Sequence, residues 1–135
     1  MNTEKYTKNL QLFGQMEVSP NRFGKLDLIN FIPTESYIHR VIFSELGNGM
    51  PIEFYKAMAV IARCEILNRF GHHFLNENYD FHATQDHLLF TPIAYQNSDI
   101  DSAIKDTKYQ VMKFEDHICQ AFFNIVCGGV CEEGQ

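Results

Sequence analysis

From Ile52 to Phe70 the chain reads IEFYKAMAVIARCEILNRF, with apolar residues around most of a helical circumference. A helix that is apolar all round has no face to give to water, so it is central rather than peripheral. Ala57, Ala59 and Ala62 let neighbouring segments approach its axis closely. Its ends are written locally. Pro51 suits the first turn of a helix, where its missing N–H costs nothing. Glu53 places an acid where the helix dipole favours it, and Gly71 ends the segment. The rest of the chain has to be wrapped around this helix.

The flanking segments are short. Residues 9–32 alternate loosely as LQLFGQMEV and KLDLINFI about Ser19-Pro20-Asn21, which predicts two strands joined by a turn. Thr34-Glu35-Ser36 opens an amphipathic helix from Tyr37 to Leu46, and Gly47-Asn48-Gly49 breaks it. Residues 72–98 read as irregular, with a strand-like LLFTPIAY inside. A short helix is expected over Asp99–Thr107, with Ser98 or Asp99 as N-cap. KYQVMKF and HICQAFFNIV then predict a hairpin around Glu115-Asp116. This order indicates an α+β fold, a single domain over residues 1–135 with a central apolar helix packed against short antiparallel strands and hairpins. With 135 residues, 45% of them hydrophobic, and 12 phenylalanines, the chain has material for one real core. Roughly two thirds of its unfolded surface can be buried at this size.

Charge and patterning exclude several classes. The net charge is −6 and no run of lysines and arginines occurs, which argues against nucleic acid as a partner. No apolar run approaches the roughly 20 residues of a membrane span. The start MNTEKYTKNLQLFG lacks the apolar core of a signal peptide. Four cysteines, Cys64, Cys119, Cys127 and Cys131, are too few for a disulfide scaffold. Cys64 and Cys119 read as small core residues, and a Cys127–Cys131 disulfide is open to the chain in an oxidising compartment.

One acid stands apart. Glu45 closes the apolar run VIFS just before the glycine-flanked break. On the residues alone, a solvated helix-end acid is the simplest reading.

The stretch LINFIPTESYIHRVIFSEL followed by PIEFYKAMAVIAR resembles the stage II sporulation protein D family. The family pattern is an apolar strand, an acid-x-Tyr, an apolar run, Glu-Met, then Pro-x-Glu-Ala-x-Lys-Ala-x-Ala-x-x-Ala-Arg. Glu35, Tyr37, Glu45, Pro51, Glu53, Lys56, Ala57, Ala59, Ala62 and Arg63 fall in register with it. DFHATQDHLLF, AIKDTKYQVMKFEDHICQAFF and CGGVCEE are similar to later family segments, so the likeness runs over about residues 12–135.

The resemblance implies an enzyme of the cell wall, a peptidoglycan lytic transglycosylase acting on peptide-stripped glycan strands, with Glu45 as the catalytic residue. A single carboxyl suffices for such a reaction. It protonates the leaving oxygen, then takes a proton from the muramyl 6-hydroxyl, which closes on C1 as a 1,6-anhydro ring. The internal hydroxyl replaces the water that other glycosidases activate with a second carboxylate. A proton donor must hold its proton near neutrality, which apolar surroundings favour. Val41, Ile42, Phe43, Leu46 and Met50 are the nearby apolar residues, and the glycines would leave room for a sugar. A following helix N-terminus works in the opposite direction.

The resemblance also implies substrate contacts at Tyr37, Lys56, Arg63, Thr84, Cys127, Gly128 and Gly129. Each has a structural alternative: packing for Tyr37, a solvated face for Lys56, and an ion pair with Glu35 or Glu53 for Arg63. His82 and His87 fall where some family members carry zinc-binding cysteines, which implies a structural zinc site completed by Asp86, His72 or His73, with Cys127 and Cys131 as a second pair where the fold brings the chain end close. Without metal these histidines would line the cleft or cap the preceding helix. The chain departs from the family at Ile125-Val126, Val130 and Cys131, where polar residues are expected. That departure favours the alternative, a non-catalytic wall-binding or amidase-enhancing module with a cell-wall amidase as partner. Family domains run on past the glycine pair, so a short member or a fragment is expected. An extracytoplasmic location facing the wall is expected from the family alone.

Overall fold

The computed structural model describes residues 13–70, 79–81, 88, 90, 96–121 and 123. Two strands come first, β1 (Gln15–Pro20) and β2 (Leu26–Phe31), followed by the helices α1 (Thr34–Leu46), α2 (Ile52–Arg69) and α3 (Ser98–Asp106). A small pair, β3 (Lys113–Phe114) and β4 (His117–Ile118), completes the described elements. Each strand pair is antiparallel and two-stranded. The α+β expectation therefore holds.

The core lies where the three helices meet. Ile38, Val41 and Ile42 of α1 pack with Tyr55, Met58, Ala59, Ala62 and Ile66 of α2, and with Ile100, Ala103 and Ile104 of α3. Most of these side chains are fully buried, and each large one contributes about 1.5–3 kcal/mol by leaving water. The three-sided burial of α2 follows from its sequence: Tyr55, Met58, Ala59, Ala62 and Ile66 face the other helices, while Arg63 and Cys64 reach the β3–β4 side. There the Arg63 guanidinium donates to the Gln110 carbonyl at 2.9 Å. The Met112 N–H donates to Cys64 Sγ at 3.1 Å, and the Asn68 amide donates to the Cys119 carbonyl at 2.9 Å.

The first hairpin pairs Val18 with Leu28 and Pro20 with Leu26. The turn is displaced from its expected place, because Ser19 and Pro20 continue β1 and Asn21 organises the loop. Its side-chain oxygen accepts from the N–H groups of Phe23 and Lys25 at 3.0 and 2.9 Å, an Asx turn. Its amide donates to Asp27 at 2.9 Å. Of this hairpin only Ile29 is buried.

Three other boundaries differ from the sequence reading. Helix α1 starts at Thr34, and Pro33, rather than a hydroxyl residue, precedes it with no side-chain cap. The cap of α3 is Asn97, whose Oδ1 accepts from the Asp99 and Ile100 N–H groups at 2.9 and 3.1 Å. Asn caps as well as Ser or Asp do; here its β-region backbone places the oxygen over the helix end. The last hairpin turns at Glu115-Asp116 as expected, both with positive φ. Its ladder is much shorter than the apolar pattern suggested, and Tyr109 also has a positive φ, which is incompatible with an extended strand there. The LLFTPIAY strand lies almost wholly outside the described residues, as does Gly71.

Candidate functional site

Glu45 sits in the last turn of α1, one residue before Leu46 ends the helix. It is partly exposed. The apolar neighbours expected around it divide into two groups. Val41 and Ile42 are fully buried, and Phe43 and Leu46 pack on the core margin. Met50 stands on the surface, as do Ile52 and Phe54 just beyond it. Glu45 therefore lies at a border between core and open apolar surface.

The turn after Glu45 is held from two directions. Tyr55, fully buried on α2, donates its hydroxyl to the Gly47 carbonyl at 2.9 Å and accepts from the Met50 N–H at 3.2 Å. One phenol oxygen thus clamps both sides of the four-residue turn. From α3, the Asn97 side-chain amide donates to Asn48 Oδ1 at 2.7 Å. Gly47 and Gly49 have φ of 66° and 87°, and a Cβ on either would meet nothing within 4 Å. Their role is the left-handed backbone that makes the tight turn, and the space beside them is open. The sequence carried no signal for Tyr55, which reads as one more core aromatic. Asn97 was legible as a cap residue one place before the positions favoured.

Arg63 and Glu35 form a bidentate pair, with Nε–Oε1 at 3.0 Å and Nη2–Oε2 at 2.8 Å. With Gln110 as third acceptor, the Arg63 guanidinium is engaged on three sides within a side chain only 5% exposed. Of the two partners weighed from sequence, Glu35 is the one in place. Glu53 instead bonds Lys56 at 2.9 Å, and Lys56 also reaches Asp106 at 3.2 Å. The hydrogen bonds that the Lys56 ammonium donates to these two carboxylates raise its pKa above the usual value. Lys56 thereby links α2 to α3 at the surface.

Tyr37 lies in α1 eight residues before Glu45, about 12 Å away along the helix axis at 1.5 Å per residue. Its ring is stacked against Phe81 and Phe90, with centroids at 5.6 and 5.2 Å. Burial pushes its phenol pKa up to about 12, with Arg69 lowering it and Glu65 raising it. Those two side chains form an i,i+4 ion pair on α2. Tyr37, Arg63 and Glu35 therefore gather toward the opposite end of α1 from Glu45. Thr84, His82, His87, Asp86, His72, His73, Cys127, Gly128, Gly129 and Cys131 lie outside the described residues. Among the described residues no three His, Cys, Asp or Glu side chains are grouped to hold a metal ion. No described helix is long and apolar enough to cross a membrane.

Comparison with known proteins adds the family. An uncharacterized protein of Brachyspira hyodysenteriae is 26% identical over 106 residues, covering 76% of this chain and 28% of that protein. The chain thus spans about a quarter of the length of that relative. No solved structure matches. The family profile described as SpoIID, Stage II sporulation protein, matches residues 22–114, from the turn of the first hairpin to the end of β3. This match takes in α1, α2 and α3 and covers well over half of the chain, and the protein belongs to the SpoIID family.

Proposed function

We propose that this domain acts on the glycan strands of peptidoglycan as a lytic transglycosylase, with Glu45 as acid and then base. The observation that carries the reading is the placement of Glu45. It stands partly exposed in the final helical turn, ahead of a turn fixed by Tyr55 and Asn97, with open space beside Gly47 and Gly49. Preorganisation of this kind keeps a proton donor within reach of a bound oxygen.

In the first step Glu45 gives its proton to the glycosidic oxygen. The bond from C1 to that oxygen breaks, and the next sugar leaves with a free hydroxyl. In the second step the Glu45 carboxylate takes the proton of the muramyl 6-hydroxyl, and O6 bonds to C1. Glu45 ends protonated, and water takes no part. No step is assigned to zinc, which His82 and His87 would hold as a structural ion. Membership of the family is consistent with a role at the cell wall, and the domain would work outside the cytoplasm.

The test is mass spectrometry of peptide-stripped glycan strands incubated with wild-type protein and with Glu45→Gln. Anhydro-muramyl ends from the wild type alone are expected. Reducing ends would mean hydrolysis and require a second carboxylate. No product from a folded wild type would favour the second reading, a non-catalytic wall-binding or amidase-enhancing module. The apolar replacements at Ile125, Val126 and Val130 support that reading.

A further inference from the structure

A cavity of about 980 Å³ opens between the first hairpin, the N-terminal end of α1 and the C-terminal end of α2. Glu45 and the turn that follows it do not line it. Its volume is at the upper end of the range of small-molecule sites. Tyr37, Phe81 and Phe90 form one stacked wall. Phe31, Phe70 and Tyr79 add further rings, of which Phe31 and Phe70 are 48% and 60% exposed.

Among the described lining residues the charge is one-sided. Asp27 and Asp80 are present, and no lysine, arginine or histidine is among the described lining residues. Asp27 accepts from the uncharged Asn21 amide. Behind the wall, Glu65 and Arg69 offset one another as an ion pair. The faces of aromatic rings carry negative potential, so rings and carboxylates act in the same direction. An anionic ligand would meet repulsion, whereas an alkylammonium group would gain both cation–π and Coulomb attraction.

We propose that this cavity binds a small organic cation with an apolar surface, of the alkylammonium class. The site is separate from that of the proposed glycan cleavage and does not depend on it. The rings supply contact area for the alkyl groups, and Asp80, which is exposed at the rim, supplies the charge.

The probes are choline and its neutral isostere 3,3-dimethyl-1-butanol, titrated into the full chain with binding read by ligand-observed NMR. Choline is expected to bind at least about tenfold tighter than the isostere. Asp80→Asn and Phe70→Ala, both at exposed positions, should each weaken choline several-fold while leaving the thermal midpoint in place. Binding at the cavity should survive Glu45→Gln, the substitution that removes glycan cleavage. Equal affinity for choline and its isostere, no binding of either at millimolar concentration, or indifference to Asp80→Asn would overturn the proposal. Loss of choline binding in Glu45→Gln would also overturn it, since cavity and acid would then be one site.

Discussion

Replacement of Glu35 by alanine tests an ion pair whose cation is almost wholly out of water. Arg63 is 5% exposed at its side chain, whereas Glu35 is 33% exposed. The two partners therefore respond differently to loss of the other. A carboxylate deprived of Arg63 is rehydrated where it stands. A guanidinium deprived of Glu35 keeps its charge, stays out of water, and retains only the Gln110 carbonyl of its three acceptors. Removing one member of a buried pair costs about 3–5 kcal/mol. A domain of this size holds only about 5–15 kcal/mol in total. With a urea m-value of about 2 kcal/mol/M, the midpoint should fall by about 2 M. The control is the double variant Glu35→Ala/Arg63→Met, which removes the stranded charge and fills the space with a methionine of similar length. The Gln110 residue is exposed, so its carbonyl finds water. The double variant should recover most of the loss. If Glu35→Ala lowered stability by under about 1 kcal/mol, the value of a surface pair, the argument from burial would be refuted.

Three further outcomes are expected. Tyr55→Phe should lower stability by about 1–2 kcal/mol, because the partly buried Gly47 carbonyl loses its donor. In the proposed glycan cleavage it should also reduce turnover more than affinity for glycan, since the turn beside Glu45 then keeps only the Asn97–Asn48 bond of its two holds; unchanged turnover in a folded variant would contradict the positioning role. Asn97→Ala should cost about 1–2 kcal/mol in chemical denaturation, from loss of the α3 cap and of the bond to Asn48, whereas Ser98→Ala should be nearly silent. Tyr37, raised from 10 to about 12 by burial, is neutral in both states below pH 10, so its contribution is intact there. The unfolded phenol ionises first as pH rises, and stability should fall between pH 10 and 12 by about 2–3 kcal/mol. Tyr37→Phe should flatten that limb of a stability–pH curve.

His39 offers the matching test on the acid side. Burial lowers its pKa more than the Asp101 carboxylate, 3.4 Å away, raises it. The folded state resists protonating it, so its contribution is present above the ordinary histidine value and lost as pH falls through the lower folded one. His39→Gln should reduce the loss of stability below pH 6, and an unchanged acid limb would count against the burial argument.

Local chemistry determined the elements of this protein. A mostly apolar stretch opened by Pro51 reads as a central helix, and its middle turns are buried as that pattern requires, while Phe54 and Leu67 stay at the surface. The break at Gly47–Gly49 and the turn at Glu115-Asp116 were likewise legible, since each depends on backbone conformations encoded within a few residues. The order of those elements was enough for the α+β class and, with the spacing of the family pattern, for the family. Tertiary structure alone decided the partners. Arg63 had two acids available in sequence, and only the packing of α1 on α2 brings Glu35 rather than Glu53 to its guanidinium. Tyr55 became a clamp on the turn after Glu45 because α2 folds back beneath that turn, which no local pattern announces. Tyr37 and Glu45 share a helix, yet eight residues of rise set two residues named together from sequence about 12 Å apart along it. Side-chain contacts between distant elements are fixed by how the helices pack, and the sequence encodes that only through the sum of its core.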